Sequence, residues 1–324
     1  MTTDASRRPL LGIGSCLAGN AVRYDGDSKP ANAQVREICA QFDTRAFCPE
    51  MAIGLGVPRP PIHLVGTQHA VRVVDVATHS HDYTARIQAY AQQVLQQCPQ
   101  LCGYILVQGS PSSGHGGVKR YSLAGEHLAS DQNGIFAQAL ADNDPLLPLA
   151  DDEQFNDPGL RDSFVARARA YHDWKILVQD GLTPQRLIAF YSRYNCLVMA
   201  HHVPSYKILG PMLANAGREA IDELARVFIT TLMAALSHHA TRRSHGNVLL
   251  HLAGYLRGDA TVAQRQQLRA LIEDYRRGTV PLAAPVALLK QLFAEHPNAY
   301  IAGQVYLELD NPDTPNEGSP PRFV

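Results

Sequence analysis

The sequence has no long hydrophobic run. No stretch of its 324 residues approaches the roughly 18 apolar residues that a membrane-spanning helix needs. The opening segment MTTDASRRPL also lacks an apolar core of signal-peptide length. These absences predict a soluble, cytoplasmic protein with no membrane partner. Charge of one sign is missing too: 29 Lys and Arg stand against 30 Asp and Glu, a net of −1. Bulk charge therefore selects no partner. Cysteines are few and scattered, at Cys16, Cys39, Cys48, Cys98, Cys102 and Cys196. In a long chain with no export signal, that argues against a disulfide framework and for buried or metal-binding thiols. There is no internal repeat. The single tryptophan, Trp174, is expected to pack between helices, as is Tyr171.

The charge that is present is unevenly spread. Residues 160–300 hold 17 Lys and Arg against 10 Asp and Glu, a balance of +7, and the remainder holds 12 against 20. Such a half either carries ordinary solvated helix surfaces or meets a polyanion. The hydrophobic pattern divides the chain at a similar place. Residues 10–16, 44–48, 71–76 and 103–108 read as strands, and 31–42 and 81–98 as helices. Strands alternating with helices predict a largely parallel, Rossmann-like α/β sheet in a first domain, residues 1–150. The acidic, proline-broken stretch 141–159 reads as the boundary. From about 158 the pattern is helical, predicting an all-α second domain over 151–324. Thr183 and Pro184 form a helix start, and Gly278 a helix stop. From about 309 the tail has a disordered composition.

Ligands of open α/β sheets gather outside the carboxyl ends of the strands. Three segments fall there. GSCLAGNAVRYDGDSK puts Cys16 ahead of a Gly/Asn-rich loop, where a thiol can bind metal, act as a nucleophile or simply fill space. FCPEMAIGLGVPRPP sets Cys48 and Glu50 two residues apart, and a carboxylate beside a metal site is a natural general acid or base. GSPSSGHGGVKRY could bring backbone amides to an anion, but it lacks the Lys-Ser/Thr signature of a P-loop. Cys98 and Cys102 precede the last strand and are expected at its opposite end, as structural residues.

In this order and spacing, SCLAGNAVRYDG, CPEMAIGLGVPRPP and ILVQGSPSSG resemble the thiouracil desulfidase (TudS) family over roughly residues 8–140. The resemblance implies a [4Fe–4S] cluster held by three thiolates with one iron left open. It carries two of these onto Cys16 and Cys48. The third falls on Ser113, where the family has cysteine in S-P-S-C-G. A hydroxyl is much harder to deprotonate than a thiol. Ser113 could bind as an alkoxide, His115 could supply a nitrogen, or the cluster could be labile or absent. By the same resemblance Glu50 would handle protons, Ser110 would bond the substrate or water, and Arg59 would meet the substrate.

The second half resembles the YbgA-like helical domain over roughly residues 160–307, through FYSRYNCLVMAHHVPSYKILG, GNVLLHLAGYL, YRRGTVPLAAPVALLKQLF and YIAGQVYLE. Here Tyr191 and Asn195 stand where that family usually has histidine and lysine. Fusions of the two domains resemble desulfidases of 4-thiouridine in tRNA. The partner implied is tRNA, with Arg193, Lys207, Arg242 and Arg243 as candidate phosphate contacts, or else a small thiolated nucleobase such as free thiouracil. The departures at Ser113, Tyr191 and Asn195 keep open a relative that binds RNA, a modified nucleotide or a protein without turnover. His238, His239, His245 and His251 form a histidine-rich stretch without zinc-like cysteine pairing.

Overall fold

The structure is a computed structural model and describes residues 8–214, 216–217 and 220–308. The expected disordered tail from about 309 lies outside the described residues. The chain forms two compact units that divide between His172 and Asp173.

The first unit contains β1 (Leu10–Gly14), α1 (Ala33–Ala40), β2 (Asp43–Phe47), α2 (Pro49–Ala52), β3 (Ile62–Thr67) and β4 (Ala70–Asp75). It continues with α3 (Thr84–Gln97), β5 (Leu101–Leu106), β6 (Val118–Tyr121), β7 (His127–Gln132), α4 (Ile135–Asn143) and β8 (Leu149–Asp151). Helix α5 (Pro158–Gln179) follows. The strands make two four-stranded sheets. One has the order β2-β1-β5-β8 and is parallel throughout. Every residue of β5 is buried, as expected of a strand covered on both faces. Each buried aliphatic side chain there contributes roughly 1.5–3 kcal/mol.

The second sheet has the order β4-β3-β6-β7 and is mostly antiparallel. Residues 71–76, read as part of the parallel sheet, belong instead to this one. The reason is local. A two-residue turn, Gln68–His69, brings β3 straight back onto β4, so no crossover helix separates them. A parallel pairing needs a crossover of a dozen or more residues.

Two glycines allow close approaches that matter for the site. A Cβ on Gly12 would sit 2.3 Å from the Tyr104 ring, so this gap in β1 lets the ring lie across the sheet. A Cβ on Gly134 would collide with the backbone of Ser112 and Ser113. That lets the loop after β5 seat on the start of α4, where the Phe136 amide donates to the Ser112 carbonyl at 2.7 Å.

The second unit is helical. Its further helices are α6 (Pro184–His201), α7 (Val203–Ala214), α8 (Ile221–Leu236), α9 (Arg242–Gly254), α10 (Val262–Arg277), α11 (Ala283–Glu295) and α12 (Ala299–Ala302). The Thr183 side chain caps α6 by accepting from the Arg186 amide. Gly278 ends α10 in the left-handed conformation. Trp174 packs against Phe190 and Phe228. No helix among the described residues is long and apolar enough to cross a membrane.

Candidate functional site

The site grows from the carboxyl ends of β1, β2 and β5, which lie side by side. Where the pairing of β1 with β2 ends, the Ser15 amide donates to the Phe47 carbonyl at 2.8 Å. Cys16 and Cys48 therefore leave two neighbouring parallel strands at the same edge. A tight turn follows Cys16, with the Leu17 and Ala18 amides both donating to the Gly14 carbonyl. Cys48 starts α2, with Pro49 at its first position and Glu50 in its first turn.

Both thiols are half-buried and free. Burial raises the pKa of each. At Cys16, Arg23 pulls it back and Glu50 pushes it up again. At Cys48, Glu50 adds to the rise and Arg59 opposes it. Without a metal these thiols stay protonated at neutral pH, so neither is an activated nucleophile. A metal would have to displace their protons.

The loop after β5 supplies hydroxyls. It is anchored by Asp152, which accepts from the Gln108 amide at 2.8 Å and pairs with Lys29 at 2.7 Å. The Val107 amide then donates to the Ser113 carbonyl, and the Gly114 amide to the Ser110 carbonyl. Within this turn the Ser112 hydroxyl donates to Glu50 Oε1 at 2.6 Å. The Ser110 and Ser112 hydroxyls are 3.0 Å apart, and the Ser113 hydroxyl donates to Ser110 Oγ at 3.3 Å. The other Glu50 oxygen takes the Arg59 guanidinium.

Arg59, expected at the substrate, is buried, and it donates also to the carbonyls of Gly56 and Val22. Its fork is occupied internally, and it holds Glu50 in place. Ser112, not singled out by the sequence reading, is the hydroxyl that touches Glu50. Its only signal was its place between Ser110 and Ser113.

A further polar group lies beneath the site. The Tyr104 hydroxyl is fully buried and has no hydrogen-bond partner among the described residues. Burial drives its pKa far up, and Tyr90, Cys48 and Cys16 add to the rise. An orphaned donor beside two thiols fits a group that accepts hydrogen bonds, such as a sulfur-rich cluster. The donors to iron would then be two thiols and the Ser113 hydroxyl. Among the described residues no three His, Cys, Asp or Glu side chains are grouped to hold a metal, and the residue at the third position is of neither thiol nor carboxylate type.

The other residues named from sequence are scattered. Cys98 accepts from Arg45 at 3.1 Å, and the Cys102 thiol bonds the Leu10 carbonyl. Both thus lie at the amino end of the sheet. His115 has Arg167 as the charge acting on it.

In the second unit, Arg193 pairs with Asp173 at 3.1 Å. Arg242 donates to the Tyr275 carbonyl and lies over its ring. Lys207 and Arg243 are exposed and have no bond or ion pair among the described residues. Tyr191 is buried and donates to the Tyr206 carbonyl, and Asn195 exchanges two hydrogen bonds with the Tyr300 hydroxyl. Histidines 201 and 245 are taken up by the His238 carbonyl and the Tyr306 hydroxyl. His238 also stacks on His202, and His251 meets Tyr255 edge-on.

Comparison with known proteins gives both units relatives. Residues 11–152 match the family described as 2-thiouracil desulfurase, and residues 196–310 match a family described as a protein of unknown function, DUF1722. The protein YbgA of Escherichia coli (strain K12) is 40% identical over 149 residues, 46% of this chain and 88% of YbgA. The chain belongs to the YbgA-like family, with a TudS-like domain fused to it. On the TudS-like side, YbbK of Bacillus subtilis (strain 168) is 26% identical over 142 residues, 40% of this chain and 89% of YbbK. A solved structure titled a [4Fe-4S]-dependent thiouracil desulfidase, TudS, is 29% identical, with a TM-score of 0.37. It covers 45% of this chain and 93% of that one.

Proposed function

We propose that the TudS-like domain removes sulfur from a thiolated uracil, that its substrate is 4-thiouridine in tRNA, and that the YbgA-like domain holds the RNA. The observation that carries the reading is the carboxylate of Glu50. It is fixed by Arg59 on one oxygen and touched by Ser112 on the other, beside two strand-end thiols in a domain matching the 2-thiouracil desulfurase family.

The overall change is a hydrolysis. A water oxygen bonds to the ring carbon, the carbon–sulfur bond breaks, and sulfur leaves as hydrogen sulfide with the two protons of water. Glu50 takes one proton from the attacking water and hands it on, which is general base and then general acid work. Arg59 keeps that carboxylate aimed, and Ser110 and Ser112 orient the water or the base. Cys16, Cys48 and Ser113 would hold a [4Fe–4S] cluster, which when bound supplies an iron with affinity for sulfur. A hydroxyl as third donor makes that cluster labile. A base in a tRNA core is out of reach, so the nucleotide has to be splayed out. Lys207 and Arg243, exposed and without a bond or ion pair among the described residues, are candidate cations for its phosphates.

Ser113 also favours a second reading, a domain that still binds the thiolated base but no longer turns it over. Protein purified and reconstituted without oxygen separates the two. Iron and acid-labile sulfide together with sulfide release from 4-thiouridine tRNA support the first reading. Tight binding of the thiolated RNA with no sulfide release supports the second. Release from free 2-thiouracil but not from tRNA would move the substrate to the small base.

A further inference from the structure

The second sheet carries a pair of histidines that the chemistry above does not use. His63 lies on β3, opposite Val74 of β4. His79 lies in the loop that follows β4. Their Nε2 atoms face each other at 3.0 Å, and the ring centroids are 4.9 Å apart. Rings meeting end to end at that nitrogen distance would have their centres further apart. Both ring axes therefore tilt to one side, toward a shared point.

The loop is built to bring His79 there. Asp75, buried at the end of β4, accepts from the Thr78 amide and hydroxyl on one oxygen, both at 2.7 Å. Its other oxygen accepts from the His81 amide at 3.0 Å. The His79 amide donates to the Asp75 carbonyl, and Asp82 returns to bridge Val74. Within this turn His79 takes a left-handed backbone, with φ at 56°, the one residue other than glycine to do so among the described residues. That conformation is uncommon outside glycine and costs about 1–3 kcal/mol. The turn holds it, and the imidazole is aimed at His63. The Tyr121 ring, 5.2 Å from that of His63, steadies the partner. Two further histidines nearby are engaged elsewhere: His81 bonds Ser80, and His127 bonds Ser130. Burial and the neighbouring His79 lower the pKa of His63, and Asp75 opposes them. The net shift favours the neutral ring, the form that binds metal.

We propose that His63 and His79 form a two-imidazole site for a divalent transition metal, copper(II) ahead of nickel(II) and zinc(II), with water in the remaining positions. Metal–imidazole bonds of about 2.0–2.1 Å spanning nitrogens 3.0 Å apart meet at an angle of about 90–100°. Neighbouring ligands of a square or tetragonal metal subtend such an angle, whereas tetrahedral zinc needs a wider one. Imidazole nitrogen also excludes calcium and magnesium, which take oxygen. The bound metal ties the loop 76–82 to β3. The site uses none of the strand-end residues and does not rest on the function proposed above.

The test titrates the full chain, stripped of metal, with copper(II), nickel(II) and zinc(II). Strand-end thiols also take these metals, so the parent for every titration is the Cys16→Ser/Cys48→Ser chain. It should bind one copper(II), with a tetragonal electron paramagnetic resonance spectrum split by two nitrogens. His63→Gln and His79→Gln should each weaken copper by about tenfold or more, since even the loss of a ligand's outer partner costs that much. His81→Gln, in the same loop, should leave the affinity unchanged. Copper should raise the melting temperature of the parent but not of His79→Gly. Without metal His79→Gly should melt close to the parent, because glycine takes the left-handed backbone without strain; this separates lost binding from lost folding. Copper that binds His63→Gln as tightly as the parent, a spectrum with one nitrogen or none, or zinc binding tighter than copper overturns the proposal. A loss in His81→Gln as large as that in His79→Gln also overturns it, and assigns the copper to loose contact with the loop.

Discussion

Both units keep sheltered polar atoms without partners, but they differ at the positions nearest their family motifs. Among the described residues, Thr44, Tyr104, His115 and Arg167 of the TudS-like domain each keep a buried atom without a partner, as do His296 and Gln304 of the YbgA-like domain. In the YbgA-like domain, the two positions that depart from the family's usual histidine and lysine are closed. Tyr191 is bonded to a carbonyl and Asn195 is doubly paired with Tyr300. Unpaired sheltered donors are expensive, and folded chains seldom keep them without a use. The contrast teaches that the first unit keeps the Tyr104 hydroxyl unbonded under its strand-end thiols, whereas at Tyr191 and Asn195 the second has turned polar positions into structure.

The comparison breaks most visibly at Glu50. Glu50→Gln keeps the shape and removes the base, so sulfide release should fall about a hundredfold or more while iron content stays as in wild type. A variant that keeps its rate would remove the carboxylate from the chemistry. Ser113→Cys should act in the opposite direction. Supplying a third thiolate should raise cluster occupancy, and with it activity, by about tenfold or more. Iron and sulfide analysis after anaerobic reconstitution reads the result. If wild type already holds a full, stable cluster, the oxygen donor suffices.

In the second unit the same style of change should touch stability instead. Asn195→Ala leaves the Tyr300 hydroxyl unmet and should cost about 1–3 kcal/mol, measured by denaturant unfolding. Desulfuration per folded molecule should stay unchanged. If activity falls while stability holds, Asn195 is not merely structural.

Acid should weaken this unit as well. Burial, helped by His201, lowers the pKa of His245 to about 4, below its ordinary value of about 6.5. Between those values the unfolded chain holds the extra proton, so stability falls as pH drops from about 6.5 to about 4. The slope is at most about 1.4 kcal/mol per pH unit. His201, also lowered by burial, works in the same direction. Melting curves across that range should flatten in His245→Asn. An unchanged slope would assign the acid sensitivity elsewhere.

The smallest effect is expected at the surface. Arg243→Ala should reduce the salt dependence of tRNA binding by about 0.9 in log–log slope, the share of one phosphate contact. Arg242→Ala should reduce it less, because Arg242 is already committed to Tyr275. Equal effects would mean that the intramolecular contacts do not matter.

The strand-end cysteines were legible because a parallel strand announces its carboxyl end through a short apolar run and an abrupt glycine loop. The loop that holds Ser113 was legible for the same reason, and Ser113 itself through the resemblance to the TudS pattern. Much of the rest depends on contacts between distant segments. The internal bonds of Arg59 were not legible, because its partners, at Glu50, Gly56 and Val22, meet only after three loops fold together. Tyr104 looks like any core residue of a buried strand; its one outward signal is the glycine at position 12. Arg167 reads as a solvated helix charge, since helical spacing does not reveal what lies opposite. Helix α7 holds two prolines, Pro204 and Pro211, residues that usually break helices. Pro204 falls in its first turn, where a missing N–H costs nothing.

The hollow that Gly12 leaves for the Tyr104 ring ties two positions 92 residues apart into a single unit of inheritance. Any side chain at 12 has to push the ring out of the way, and a smaller residue at 104 opens a void against Phe47 and Phe136. Neither position can drift alone without loss, so lineages that retain the hydroxyl beside the two thiols are bound to retain the glycine. A descendant that fills position 12 has given up the tyrosine and, with it, the hydrogen-bond donor buried under the site.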